Sequence, residues 1–92
     1  MDLAKVAKIS KALADPTRLR IYQKIAAKPE VFCGELAACG GLTPGTISHH
    51  LKTLAEAGLI ETRREGQFIY NRALPKALRE YAAAVQGLAR KG

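Results

Sequence analysis

Thr43-Pro44-Gly45-Thr46, followed by Ser48, His49 and Lys52, gathers hydroxyls, an imidazole and an ammonium into one short run. Thr43 suits a helix N-cap, and Pro44 suits the first helical position, where its missing N–H costs nothing. Ile47, Leu51 and Leu54 recur at i, i+4 and i+7 until Gly58 supplies a stop, so the run reads as an amphipathic helix. At 100° per residue from Ile47, the positions opposite the apolar line are Gly45, His49, Lys52 and Glu56, with Thr46 and Thr53 on one flank and Ser48 on the other. Such a helix start attracts phosphate through its free N–H groups, and Gly45 lets a backbone come close. Thr46, Ser48 and His49 carry the donors and acceptors that read base edges in a major groove, leaving Lys52 to reach phosphate. Taken singly, Thr43 is also a simple cap and Ser48 a filler; their sharing one exposed helix start is what points to a ligand. His50 lies nearer the core line and reads as a packing residue.

Two other groups of residues carry chemistry. Arg63 and Arg64 precede a turn at Gly66, and Gln67 and Arg72 follow it, so a cationic hairpin can lie along a minor groove or its phosphates. Exposed hairpins also carry such charges to discourage edge-to-edge pairing, and that alternative stays open. Cys33 and Cys39 are the two cysteines. Along a helix their α-carbons stand roughly 9 Å apart, beyond the ~7 Å that a disulfide spans. Cys33, close to a helix N-terminus, is either a thiolate-forming, redox-sensing residue or inert packing; Cys39 reads as a small apolar filler.

The elements that position these residues follow from periodicity. Leu3, Val6, Ala7, Ser10, Leu13 and Ala14 share one face of an opening helix, with Lys5, Lys8 and Lys11 on another. Asp15-Pro16-Thr17 breaks and restarts the helix, and Leu19, Tyr22, Ile25 and Ala26 give the second its apolar stripe. A short helix from about Gly34 to Cys39 is closed by Gly40-Gly41 and leads into the helix at Thr43, which makes a helix-turn-helix over residues 34–58. From Leu59 the period changes. Residues 59–63 and 67–72 read as two strands joined at Arg64-Glu65-Gly66, a hairpin whose projecting tip is a wing over residues 59–73. Pro75 opens a last helix with Leu78, Tyr81, Ala82, Val85, Leu88 and Ala89 on one face. The fold class is mostly α (α+β), a winged helix-turn-helix in the order α-α-α-α-β-β-α, as one domain spanning 1–92.

Composition narrows the partners. The chain of 92 residues is 48% hydrophobic and 25% charged, ordinary for one globular domain. A chain this short buries only about 60 to 65% of its unfolded surface, so a second copy would complete a thin core. Its net charge is +7, and a pair of chains carries +14, which favours a polyanion. No stretch approaches the roughly 18 to 20 apolar residues of a membrane span, and the start lacks a signal-peptide layout, so a cytoplasmic protein without a membrane partner is expected. No carboxylate pair, nucleophile–base arrangement or phosphate loop appears, so no enzyme is expected. The expected partner is double-stranded DNA, read as sequence by a regulator or held without sequence preference by an architectural or protein-interaction module.

Ala12-Leu13-Ala14-Asp15-Pro16-Thr17-Arg18-Leu19-Arg20-Ile21, Gly34-Glu35-Leu36-Ala37, Ile47-Ser48-His49-His50-Leu51-Lys52-Thr53-Leu54, Ala57-Gly58-Leu59-Ile60 and Arg63-Arg64-Glu65-Gly66 resemble the ArsR/SmtB family of bacterial winged-helix repressors. The resemblance covers almost the whole chain. It implies a homodimer paired through its first and last helices, residues 1–14 and 75–90, that binds an operator until an inducer releases it. Leu3, Val6, Ala7, Leu78, Tyr81, Val85 and Leu88 are the residues it assigns to pairing. Metal-sensing relatives use a cysteine pair before the recognition helix, or Asp and His ligands on the last helix. Here Cys33 stands alone and the last helix has no His, Cys or Asp, so no metal and no cofactor are expected.

Overall fold

The computed structural model describes residues 1–40 and 43–90. Its elements are α1 (Leu3–Leu13), α2 (Pro16–Ala26), β1 (Val31–Phe32), α3 (Cys33–Gly40), α4 (Pro44–Glu56), β2 (Ile60–Glu65), β3 (Phe68–Ala73) and α5 (Pro75–Leu88). The expected winged helix-turn-helix is present, with one addition. Val31–Phe32 forms a two-residue strand, too short to announce itself by alternation, that pairs antiparallel with β3 through Val31↔Asn71 and Phe32↔Tyr70. The sheet order is therefore β1-β3-β2. Gly41 and the turn into Thr43 lie outside the described residues, as does the Cys39 side chain.

Local chemistry sets the helix starts. The Asp15 carboxylate accepts from the backbone N–H of Thr17 (2.7 Å) and Arg18 (3.2 Å), with Pro16 following at the first position. Thr43 accepts from the N–H of Thr46 at 3.3 Å, again with Pro next. Two free donors are satisfied at the first end and one at the second, which stabilises each helix start by about 1 kcal/mol. At the other end of α4, Gly58 adopts φ +79° while the Leu59 N–H bonds the Leu54 carbonyl. That left-handed residue turns the chain from helix into the wing.

The core joins α1, α2, α4 and the sheet around Ile9, Ile25, Ile47, Leu54, Leu59 and Ile60, all fully enclosed. Two helices deviate from the faces read in the sequence. In α2 the inward residues are Ile21, Tyr22 and Ile25, whereas Leu19 is 48% exposed and Ala26 is exposed, lining a shallow apolar groove beside Leu13 and Leu78. In α1 the inward stripe is Val6, Ile9 and Ala12, and the neighbouring stripe containing Leu3 and Ala7 faces outward. A helix with two adjoining apolar stripes yields one merged face when only its sequence is read.

The wing strands also shift. β2 extends through Arg64 and Glu65, and Gly66 and Gln67 alone form the turn, because Glu65 pairs with Phe68. Gly66 has φ +63°, the positive value that two-residue hairpin loops require. Gln67, expected in a strand, sits in the turn.

Candidate nucleic-acid interface

Helix α4 presents the expected split. Ile47, His50, Leu51 and Leu54 are buried, while Thr43, Gly45, Thr46, Ser48, His49 and Lys52 are exposed. A Cβ added at Gly45 would meet no atom of the chain within 4 Å, so internal packing does not require glycine there. The Thr43 and Thr46 hydroxyls share a 2.8 Å hydrogen bond, and Thr53 Oγ1 donates to the His49 carbonyl at 3.1 Å. Ser48 and the His49 ring have no hydrogen-bond partner among the described residues and are free to meet a ligand.

His50 packs as expected, at 9% exposure, and its partner is one the sequence did not reveal. Arg18 Nη1 lies 3.3 Å from His50 Nδ1. A guanidinium only donates, so Nδ1 accepts and the ring proton sits on Nε2. The same Arg18 donates through Nε to the Ala12 carbonyl (2.6 Å) and through Nη2 to the Lys11 carbonyl (3.4 Å). One side chain thus ties the end of α1, the start of α2 and the buried side of α4 together. Asp15 lies against it, and the Arg18 backbone N–H, with help from the Thr17 N–H and the Arg18 charge, holds the Asp15 carboxyl below its usual range.

The two arginines expected to act together in the wing are in different situations. Strand register puts Thr62, Arg64, Ile69 and Asn71 on one face of the hairpin and Glu61, Arg63, Tyr70 and Arg72 on the other. Thr62, Ile69 and Asn71 line a cavity with Ser48 and Lys52 of α4, so Arg64 shares the face turned toward the recognition helix. Arg63 points away. Its guanidinium pairs with Glu30 (2.9 Å) and with Glu65, and it lies 4.8 Å above the Tyr70 ring. The hydrogen bond to Glu30, then that to Glu65, favours its charged form further. Arg72 is likewise paired with Glu61. The edge-protecting alternative therefore fits Arg63 and Arg72, and Arg64, with no ion pair among the described residues, is the available cation.

On the opposite flank of α4, Lys8 and Lys11 of α1 line a groove with His49, Thr53 and Glu56. Neither lysine has an ion pair among the described residues. The sequence placed them on the polar side of α1 and gave no sign that this side adjoins the recognition helix.

The residues assigned to pairing divide as well. Leu3 is 71% and Leu88 60% exposed, Ala7 and Val85 are exposed, and α5 has no buried residue at all. Leu78 and Tyr81 are half-buried against the core, with Tyr81 Oη 2.8 Å from Ser10 Oγ. Val6 is corrected: it is 6% exposed and already spent on its own core, so it adds little to any contact between copies. Cys33, half-buried, is the first residue of α3; the amide of the fully buried Asn71 donates to the Val31 carbonyl (3.2 Å) and toward Cys33 Sγ (3.4 Å). Among the described residues no group of three or more His, Cys, Asp or Glu side chains could hold a metal ion.

A solvent-facing helix at the second position of a helix-turn-helix, with a three-stranded sheet and wing beside it, defines a winged helix-turn-helix protein. Comparison with known proteins gives the family. A family model described as a helix-turn-helix domain matches residues 13–63. The arsenic resistance transcriptional regulator ArsR1 of Pseudomonas putida is 38% identical over 80 residues, 87% of this chain and 62% of that protein. The transcriptional repressor SdpR of Bacillus subtilis is 37% identical over 62 residues, 67% of this chain and 68% of its own. A solution structure from Mycobacterium bovis, titled as a homodimeric winged helix-turn-helix DNA-binding domain and a possible ArsR-family regulator, superposes with a TM-score of 0.77 at 36% identity, covering 95% of this chain and 80% of that one. The chain belongs to the ArsR family of helix-turn-helix transcriptional regulators. It spans less than two thirds of the length of several curated relatives, the Pseudomonas protein included.

Proposed function

We propose that this protein is a sequence-specific DNA-binding transcriptional repressor that acts in the cytoplasm as a homodimer on a pseudopalindromic operator, and is not an enzyme. The observation that carries the reading is the outward face of α4, where Gly45, Thr46, Ser48, His49 and Lys52 are all exposed beside a wing whose Arg64 faces the same way. Thr46, Ser48 and His49 read base edges, Thr43 and the helix N-terminus meet phosphate, and Lys52, Arg64 and Gln67 hold the backbone. The exposed apolar residues Leu3, Ala7, Val85 and Leu88, beside the half-buried Leu78 and Tyr81, support pairing through α1 and α5. Pairing there sets two recognition helices roughly 34 to 36 Å apart, one turn of duplex.

Selection of bound duplexes from a random pool tests the reading. One enriched inverted repeat is expected, and no enrichment at low salt would favour the architectural alternative. His49→Ala is expected to reduce discrimination between the selected site and random DNA by about tenfold, the lower range of one base contact. Unchanged discrimination would remove His49 from base reading.

The signal that releases DNA is proposed to act at Cys33. The Asn71 amide N–H points at the Cys33 sulfur at the start of α3, and a cysteine reacts with oxidants as its thiolate. With peroxide, the thiolate attacks one oxygen, the S–O bond forms as O–O breaks, hydroxide leaves, and a sulfenic acid results. Operator binding by wild type is expected to respond to peroxide while Cys33→Ser does not; equal responses would end the assignment.

A further inference from the structure

An α-helix lying in a major groove about 12 Å wide has a phosphate backbone on each side. On one side of α4, Ser48 and Lys52 face the wing across a cavity also lined by Thr62 and Ile69. On the other, His49 and Thr53 face Lys8 and Lys11 across the groove with α1. Glu56 lines both grooves at the far end of the helix, and the guanidinium of Arg18, also on the α1 side, is held by His50 and the α1 carbonyls. Lys5, the next lysine along α1, has a different placement: its Nζ sits at Gly58, 3.5 Å from where a Cβ would be, at the negative end of α4. Lys8 and Lys11 are thus two exposed cations with no ion pair among the described residues, about 4.5 Å apart along the axis of α1 and beside the recognition helix.

We infer that Lys8 and Lys11 form a phosphate-binding strip for the DNA strand on the side of α4 away from the wing, so that each recognition helix is clamped from both backbones. The inference rests on the DNA-binding reading above and adds a surface that reads no sequence. Affinity for duplex falls with salt by about 0.9 log units per log unit of salt for each phosphate neutralised. A dimer on its full site carries four such lysines, so K8Q/K11Q is expected to lower the slope by about 3.6. The ratio of selected-site to random-duplex affinity should stay as in wild type, because phosphate contacts carry no base information. K24Q/K76Q, two lysines outside this groove, serves as the charge-matched control, and thermal unfolding of each variant confirms an intact fold.

A slope in K8Q/K11Q no lower than in the control would overturn the strip. A fall in the specificity ratio would also overturn it, since the lysines would then be reading bases. Wild-type protein that binds no duplex at any salt would overturn the parent reading as well, a result visible before any variant is made.

Discussion

The wing and the first helix bring cations to the two flanks of α4 in opposite ways. In the wing, Arg63 and Arg72 are spent on Glu30, Glu65 and Glu61, and only Arg64 is left facing the recognition helix. On α1, Lys8 and Lys11 have no acidic partner within ion-pair distance among the described residues. The arginine-rich hairpin, the more conspicuous feature in sequence, thus offers fewer available charges than the lysine face of α1. Exposed ion pairs add little stability, but they do occupy the charge, and a ligand phosphate must compete with a carboxylate already in place. The availability of a cation, more than its presence, decides what a polyanion meets.

The sharpest way to break the comparison is at the residue that holds α1 against α4. Arg18→Ala removes the link to His50 and the bonds to the Ala12 and Lys11 carbonyls, leaving partly buried polar groups unpaired. It is expected to cost roughly 2 kcal/mol. In a domain of this size each kcal/mol lowers the melting temperature by about 4 to 8 °C. Duplex affinity should fall with it, because the lysine strip loses its mooring. A melting temperature within a degree of wild type would show that Arg18 is no hub.

The wing is sharpened by separating its arginines. Arg64→Gln is expected to lower the salt slope of duplex binding by about 0.9 per protomer, and Arg63→Gln by less than half of that. Equal effects would mean that DNA displaces Glu30 and Glu65 and that both faces of the hairpin take part.

The smallest effect concerns pH. The Asp15 carboxyl is held below its usual range in the folded chain, chiefly by the Arg18 N–H, so the unfolded state binds its proton more readily. Its contribution is complete above the unfolded value, about 3.9, and is lost as pH falls through the lower folded value. Asn at this position still caps the helix, so Asp15→Asn isolates the charge. The gap in urea midpoint between wild type and Asp15→Asn should be steady near neutral pH and narrow as pH falls below about 3.9, and a gap that does not narrow there would assign the difference to geometry instead.

Much of this was legible in the sequence, and the remainder has a common cause. Asp15-Pro16 and Thr43-Pro44 mark their helices because cap and proline act on the next few residues. The α4 face was legible because period and burial agree along one helix. The Arg18–His50 link, the Arg63–Glu30 pair and the Lys8–His49 groove join residues far apart in the chain, and no periodicity records them. Val6 and Leu19 were misplaced for a related reason. An apolar residue announces that it will be covered, but which element covers it depends on how α1, α2 and α5 dock. β1 is two residues long and exists only because Asn71 and Tyr70 lie opposite it.

The most direct test of the two-sided clamp is phosphate-ethylation interference on the selected duplex. The account predicts two clusters of sensitive phosphates per half-site, one on each strand flanking the major groove that holds α4. Loss of the cluster distant from the wing is expected in K8Q/K11Q. A wild-type pattern confined to the wing side of each half-site would contradict it.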